Sequence, residues 1–142
     1  MTILRTKKKV FLLIIVIVIA AIAISVVWYF SPKAFLRGVE PSDVKSIYVF
    51  DGNTGKEFVI ESPEEIERVV KNIQEVKMKR DSISVFHIGY SFIIKFTDKN
   101  GNAIDSFIIN STDTVRDDPF FYRCDGNLCY DYLKELEDMY TK

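Results

Sequence analysis

Val10 to Phe30 reads VFLLIIVIVIAAIAISVVWYF, twenty-one residues without a charged side chain. As a helix rising 1.5 Å per residue it covers about 31 Å, close to one bilayer hydrocarbon core. The sequence therefore predicts a transmembrane anchor, with the lipid bilayer as the first partner. It divides the chain into a tail at 1–9, the anchor at 10–30, a juxtamembrane tether at 31–44 and a domain at 45–142. Upstream stand Arg5, Lys7, Lys8 and Lys9 and no acid, which places the tail in the cytoplasm and the domain outside the cell membrane. A cleaved signal peptide with Ala21-Ile22-Ala23 as its processing site is the rival reading. The apolar run outlasts the about 7–15 residues of a signal core. It also ends on Trp28, Tyr29 and Phe30, rings suited to the headgroup region, so a retained anchor is expected.

The remainder of the 142-residue chain holds 15 basic and 20 acidic side chains. A mildly acidic domain without a basic stripe argues against nucleic acid as a partner. Its length suits a single core. Ser31–Val44, with two Pro and one Gly, reads as the tether. Lys45–Phe50 and Lys56–Ile60 flank a Gly-rich turn and predict a hairpin. Ser62-Pro63-Glu64-Glu65 has the residues of a capping box. Ile66, Val69, Val70, Ile73 and Val76 follow at helical spacing.

Lys77–Asp81 reads as a charged break. Ile83–Thr97 reads as one long strand bent or bulged at Gly89, with alternation after it. Asp98–Asn102 is a turn, Ala103–Asn110 a strand, Ser111–Pro119 a polar connection and Phe120–Cys124 a short last strand. Asn127 is a plausible cap for a final helix with Cys129, Tyr132, Leu133, Leu136, Met139 and Tyr140 on its apolar stripe. The expected fold is α+β: the anchor, then β-β-α-β-β-β-α, with both helices on one face of an antiparallel sheet.

Chemistry is sparse. Cys124 and Cys129 flank a four-residue corner, and outside the cell such a pair is expected to form a structural disulfide; two free thiols are the alternative. Zinc or redox chemistry has little support, because His87 is the single His and the Cys spacing is wrong for a redox motif. His87 falls in a strand pattern and is expected to be structural. Asp98–Asn102 looks like a calcium loop, but its Gly is in the wrong place, so a hairpin turn is the better reading. No cofactor or metal site is expected. Asp117 and Asp118 form a carboxylate pair best read as capping a turn before Pro119. Among the Phe120-Phe121-Tyr122 run, Phe121 is the candidate partner contact, because alternation must turn one aromatic away from its neighbours.

Lys45–Lys56, Ser62–Ile66, Phe92–Gly101 and the closing strand and helix together resemble a loose group of small domains in Gram-positive bacteria. These occur as lipoproteins, anchored proteins or outer parts of membrane proteins. The resemblance implies an extracytoplasmic α+β domain and carries over no catalytic residue. The chain departs from the lipoproteins in having no Cys near the end of the run. The expected function is a non-catalytic binding or accessory module, with another membrane or envelope protein as a possible partner. The alternatives are an envelope enzyme using dispersed carboxylates such as Asp117 and Asp118, or a membrane-bound immunity or inhibitor protein.

Overall fold

The computed structural model describes residues 2–142. Two compact units divide the chain, one ending at Ser31 and the other running from Pro32 to Lys142. The first is helix α1, Thr2–Phe30. Its stretch Lys7–Phe30 is long and apolar enough to cross a membrane, and no part of it is buried by protein. A helix apolar on every side has no polar face to offer water, which is the pattern of a lipid-exposed span. The tail's Arg5 side chain lies outside the described residues.

The second unit is an α+β domain with strands β1 Val44–Asp51, β2 Glu57–Ile60, β3 Met78–Ile83, β4 Phe92–Asp98, β5 Ala103–Ile109, β6 Thr114–Asp117 and β7 Phe120–Cys124. Helix α2, Pro63–Glu75, lies between β2 and β3, and α3, Tyr130–Tyr140, closes the chain. All neighbouring strands are antiparallel, in the order β2-β1-β4-β5-β6-β7-β3. The order of elements is thus β-β-α-β-β-β-β-β-α. Two strands exceed the sequence expectation. Lys77–Asp81 is no break: Met78–Ile83 pairs with β7 as an edge strand. Thr114–Asp117, inside the expected connection, forms β6. The long strand expected over Ile83–Thr97 is instead the end of β3, a loop, and β4. Gly89, at φ +106°, lies in that loop.

Register explains the core. Ile47 faces Ile60 and Phe96, and Val49 faces Phe58 and Ile94. Ile94 faces Phe107, Ile109 faces Val115, Val115 faces Tyr122, and Cys124 faces Met78. Period two puts all of these on one face. That face shares a single apolar core with Ile66, Val69, Val70 and Ile73 of α2 and Leu133 and Leu136 of α3. Each such side chain, fully buried, contributes about 1.5–3 kcal/mol.

The helix ends differ from the sequence expectation in detail. Ser62 occupies the N-cap of α2 and Pro63 its first position, yet the Ser62 hydroxyl makes no capping bond. Glu65 accepts from the Tyr140 hydroxyl at 2.6 Å, which ties α2 to α3. Cys129, not Asn127, is the N-cap residue of α3; the Asn127 carbonyl accepts from Asn72.

The segment read as a tether also does structural work. Phe35 and Leu36 are buried in the core, and Phe35 packs on Phe107 and Tyr122 with ring centroids 4.7 and 5.4 Å away. The Lys33 N–H donates to the Met78 carbonyl, an antiparallel bridge at the β3 edge. The Lys33 ammonium pairs with Asp117 beneath the same aromatic rings.

Candidate functional site: the loop across the open face

The face of the sheet opposite the helices is crossed by the loop between β3 and β4. It continues Ile83 as Ser84-Val85-Phe86-His87-Ile88-Gly89-Tyr90-Ser91. From Ile83 to Tyr90 it contains no carboxylate, Lys or Arg.

Its inner side is fastened at both ends and in the middle. Ser84 is fully buried. Its N–H donates to the Pro119 carbonyl at 2.9 Å, and its hydroxyl donates to Asp118 Oδ1 at 2.5 Å. Arg116 grips Asp118 with two bonds, Nε to Oδ1 at 2.7 Å and Nη2 to Oδ2 at 3.1 Å. The same guanidinium reaches the loop itself, donating from Nη1 to the His87 carbonyl at 3.0 Å. The Arg116 and Ser84 bonds hold the Asp118 carboxyl below its usual range, and the Asp118 bond raises Arg116. At the far end the Gly52 N–H donates to the Ser91 carbonyl at 2.8 Å, and the Ser91 hydroxyl donates to the Asn110 carbonyl at 3.1 Å. Gly52 is glycine for a local reason: a Cβ there would stand 2.5 Å from the Tyr90 ring and carbonyl oxygen.

The outer side is bare. Phe86 is 97% exposed and Ile88 102%, with Ile83, Val85 and Tyr90 also exposed. Phe86 holds φ +77°. A bulky residue in that region costs about 1–3 kcal/mol and persists where its surroundings dictate the backbone. Here they do, because the His87 N–H closes back on the Ser84 carbonyl at 3.0 Å while Arg116 holds the His87 carbonyl. The result is a fastened loop presenting two apolar side chains to solvent.

Of the residues singled out in the sequence, His87 lies in this loop and Phe121 and Asp118 touch it. Phe121 is half-buried beneath it, edge-on to the His87 ring at 5.1 Å. The most exposed apolar contacts are therefore Phe86 and Ile88, which the strand reading of Ile83–Thr97 concealed. A cue was available in the sequence: eight residues ahead of an already complete alternating strand, with Gly89 between. Asp118 organises the loop through Arg116 and Ser84, while Asp117 pairs with Lys33. His87 has a structural contact in Phe121. The Asp98–Asn102 segment is a hairpin turn in which the Asn102 side-chain amide donates to Asp98 Oδ2 at 3.1 Å and the N–H groups of Asn102 and Asn100 donate to Oδ1, both at 2.8 Å; these bonds, the Asn102 side-chain bond foremost, lower the Asp98 carboxyl. Among the described residues no three His, Cys, Asp or Glu side chains gather in a way that could hold a metal ion.

The expected disulfide is corrected. Cys124 and Cys129 are free thiols, both buried and not close to one another. The corner between them is tied to other segments. Cys124 donates its N–H to the Asp113 carbonyl, Asp125 exchanges bonds with Lys77, and the Leu128 N–H donates to the Thr112 carbonyl. Those ties hold Cys124 in its strand and deliver Cys129 to the start of α3 instead of closing a small ring. Burial pushes Cys124 up to about 11 and Cys129 up to about 12, so neither is a ready nucleophile.

Comparison with protein-family models, with curated proteins and with solved structures finds no match to the chain.

Proposed function

We propose that the chain is a single-pass membrane protein, tail in the cytoplasm and domain on the outer side, serving as a non-catalytic binding or accessory module. The observation that carries the binding part is the loop just described, whose inner atoms are fixed by Arg116, Asp118, Ser84 and Gly52 while Phe86 and Ile88 stand in water. Exposing two large apolar side chains and straining one of them is unfavourable for an isolated domain. Such a feature marks a surface that is covered in use. The anchoring part rests on the length and composition of Lys7–Phe30, and the orientation on the cations before it. The carboxylates that an enzyme reading enlists, Asp117 and Asp118, are engaged by Lys33, Arg116 and Ser84. The resemblance to small extracytoplasmic domains of Gram-positive bacteria points the same way.

Orientation is tested with Glu135→Cys, an exposed position on α3. A membrane-impermeant maleimide added to intact cells should label it, with Cys124 and Cys129 protected by burial. Labelling that appears only after the membrane is broken would place the domain inside and overturn the proposal.

A further inference from the structure

We propose that the crest of the β3–β4 loop, Phe86 and Ile88, beds into the headgroup region of the same membrane that holds α1, so that phospholipid is what covers it. This rests on the reading of Val10–Phe30 as a membrane span.

Three observations favour lipid over a protein partner. The first is composition. Ile83–Tyr90 holds aliphatic and aromatic side chains, one His and no formal charge, the mixture that prefers the interface between water and hydrocarbon. The second is relief. Phe86 and Ile88 project singly from a fastened backbone, and a fluid interface needs no complementary shape. The third is where the chain enters the domain. Lys33 pairs antiparallel with Met78, so the chain ahead of Lys33 runs in along β3, the strand from whose end the loop departs. Only Ser31 and Pro32 stand between Phe30 and Lys33 in the sequence, a reach of about 10 Å from Phe30 to Lys33. With Val10–Phe30 read as a span, that short link is all the chain available between the end of the span and the Lys33–Met78 bridge on β3. The loop's rigidity then has a purpose: side chains already projecting pay little ordering entropy on insertion.

The test uses the full chain in nanodiscs of mixed phosphatidylcholine and phosphatidylglycerol, with a single environment-sensitive fluorophore in a C124A/C129A background whose fold is checked by circular dichroism. Probes are placed at Phe86→Cys, Ile88→Cys, Glu135→Cys and Val18→Cys. The expected result is blue-shifted emission at 86 and 88, quenched by lipids spin-labelled near the headgroup and shielded from aqueous iodide, while the Glu135 probe stays iodide-accessible. The Val18 probe should be quenched by lipids labelled deep in the acyl chain. If 86 and 88 are as iodide-accessible as 135 while 18 reports the bilayer core, the loop does not meet lipid and the proposal fails with the anchor intact. A blue shift at 86 and 88 without lipid quenching, present only in discs holding two copies, overturns it in favour of self-association. A Val18 probe outside the bilayer overturns the anchor reading, and this proposal with it.

Discussion

Gly52→Ala adds one methyl group, yet the structure leaves no room for it. The new Cβ falls 2.5 Å from Tyr90 Cδ2, Cε2 and, more tellingly, the Tyr90 carbonyl oxygen. Reaching ordinary contact at 3.4 Å requires a shift of about 0.9 Å by backbone. That backbone is held, since the next carbonyl, Ser91, accepts the Gly52 N–H at 2.8 Å and the Tyr90 ring lies 6.2 Å from that of Phe50. Overpacking of this kind costs about 1–3 kcal/mol, and weakening the Gly52–Ser91 bond adds about 1 kcal/mol. Gly52 is not in the left-handed region, so Ala gains back about 0.4–1 kcal/mol through the unfolded chain. The net loss is about 1–3 kcal/mol. For a domain of this size it lowers the thermal midpoint by about 4–12 °C. The assay is thermal unfolding of the full chain in detergent, followed by near-ultraviolet circular dichroism. Tyr90→Ala in the same chain should not rescue the variant, because the carbonyl oxygen remains. A midpoint within 1 °C of the parent would refute the placement of the loop against the β1–β2 turn. Gly55→Ala is the control for a different cause: nothing lies within 4 Å of its Cβ, and any loss there comes from its φ of +74°.

Arg116→Ala removes both the clamp on Asp118 and the bond to the His87 carbonyl, so chymotrypsin should cut after Phe86 at least tenfold faster; an unchanged rate would show that the loop is held without Arg116. Asp113 is brought to about 2 by the hydroxyls of Ser111 and Thr114 and the Arg123 guanidinium. Its folded value lies below its unfolded one of about 3.9, so the unfolded chain takes up the proton first, and stability present above pH 5 is lost as pH falls toward 2. Urea midpoints measured from pH 6 to 2.5 should fall, and Asp113→Asn should start lower and fall less steeply. An identical slope in the variant would exclude Asp113 as a source of the acid sensitivity. Cys124 and Cys129 should resist iodoacetamide at pH 8 in the folded protein, since at about 11 and about 12 their thiolate fractions are about 0.1% or less. Both should react after unfolding without reductant, whereas silence at that stage would reveal a disulfide.

What the sequence made legible follows the strength of each local pattern. The long apolar helix and α2 announce themselves because an unbroken apolar run, or burial of one helix side by a sheet, leaves a continuous trace. β4 alternates cleanly because it is central and only one of its faces meets the helices. β3 was hidden because an edge strand with only Met78 buried carries Lys79, Arg80 and Asp81 without penalty; charge on an edge discourages pairing with other chains. β6 is four residues with only Val115 buried, too brief for alternation to register. The loop misled in the opposite sense. Its apolar residues imitate a strand, and only the fold distinguishes side chains that face a core from those that face outward. Around the loop, Phe121, His87, Asp117 and Asp118 draw notice in the sequence by residue type, whereas Arg116, which connects Asp118 to the loop, leaves no signal in a polar stretch.

The strand order has a consequence for how the protein is made. β1 pairs with β4, so Val49 waits for Ile94; the strand that pairs with β3 is β7, so Met78 waits for Cys124. As the chain emerges from its N-terminus, everything through Ile83 is synthesised before most of its partners exist. The β1–β2 hairpin can form early, but α2 then has an apolar face and almost no sheet to cover. The run from β4 to β7 folds from neighbouring hairpins and becomes the template on which the earlier half is hung from both sides. Closure of such distant pairs is slow, and exposed apolar faces are prone to aggregation during the delay. A chain stalled or truncated before Phe120 would leave β3 without its strand partner, with Met78 and the α2 stripe uncovered. The last strand is thus a checkpoint for the whole domain, and loss of only the final two dozen residues should turn it from a folded protein into a substrate for quality-control proteases.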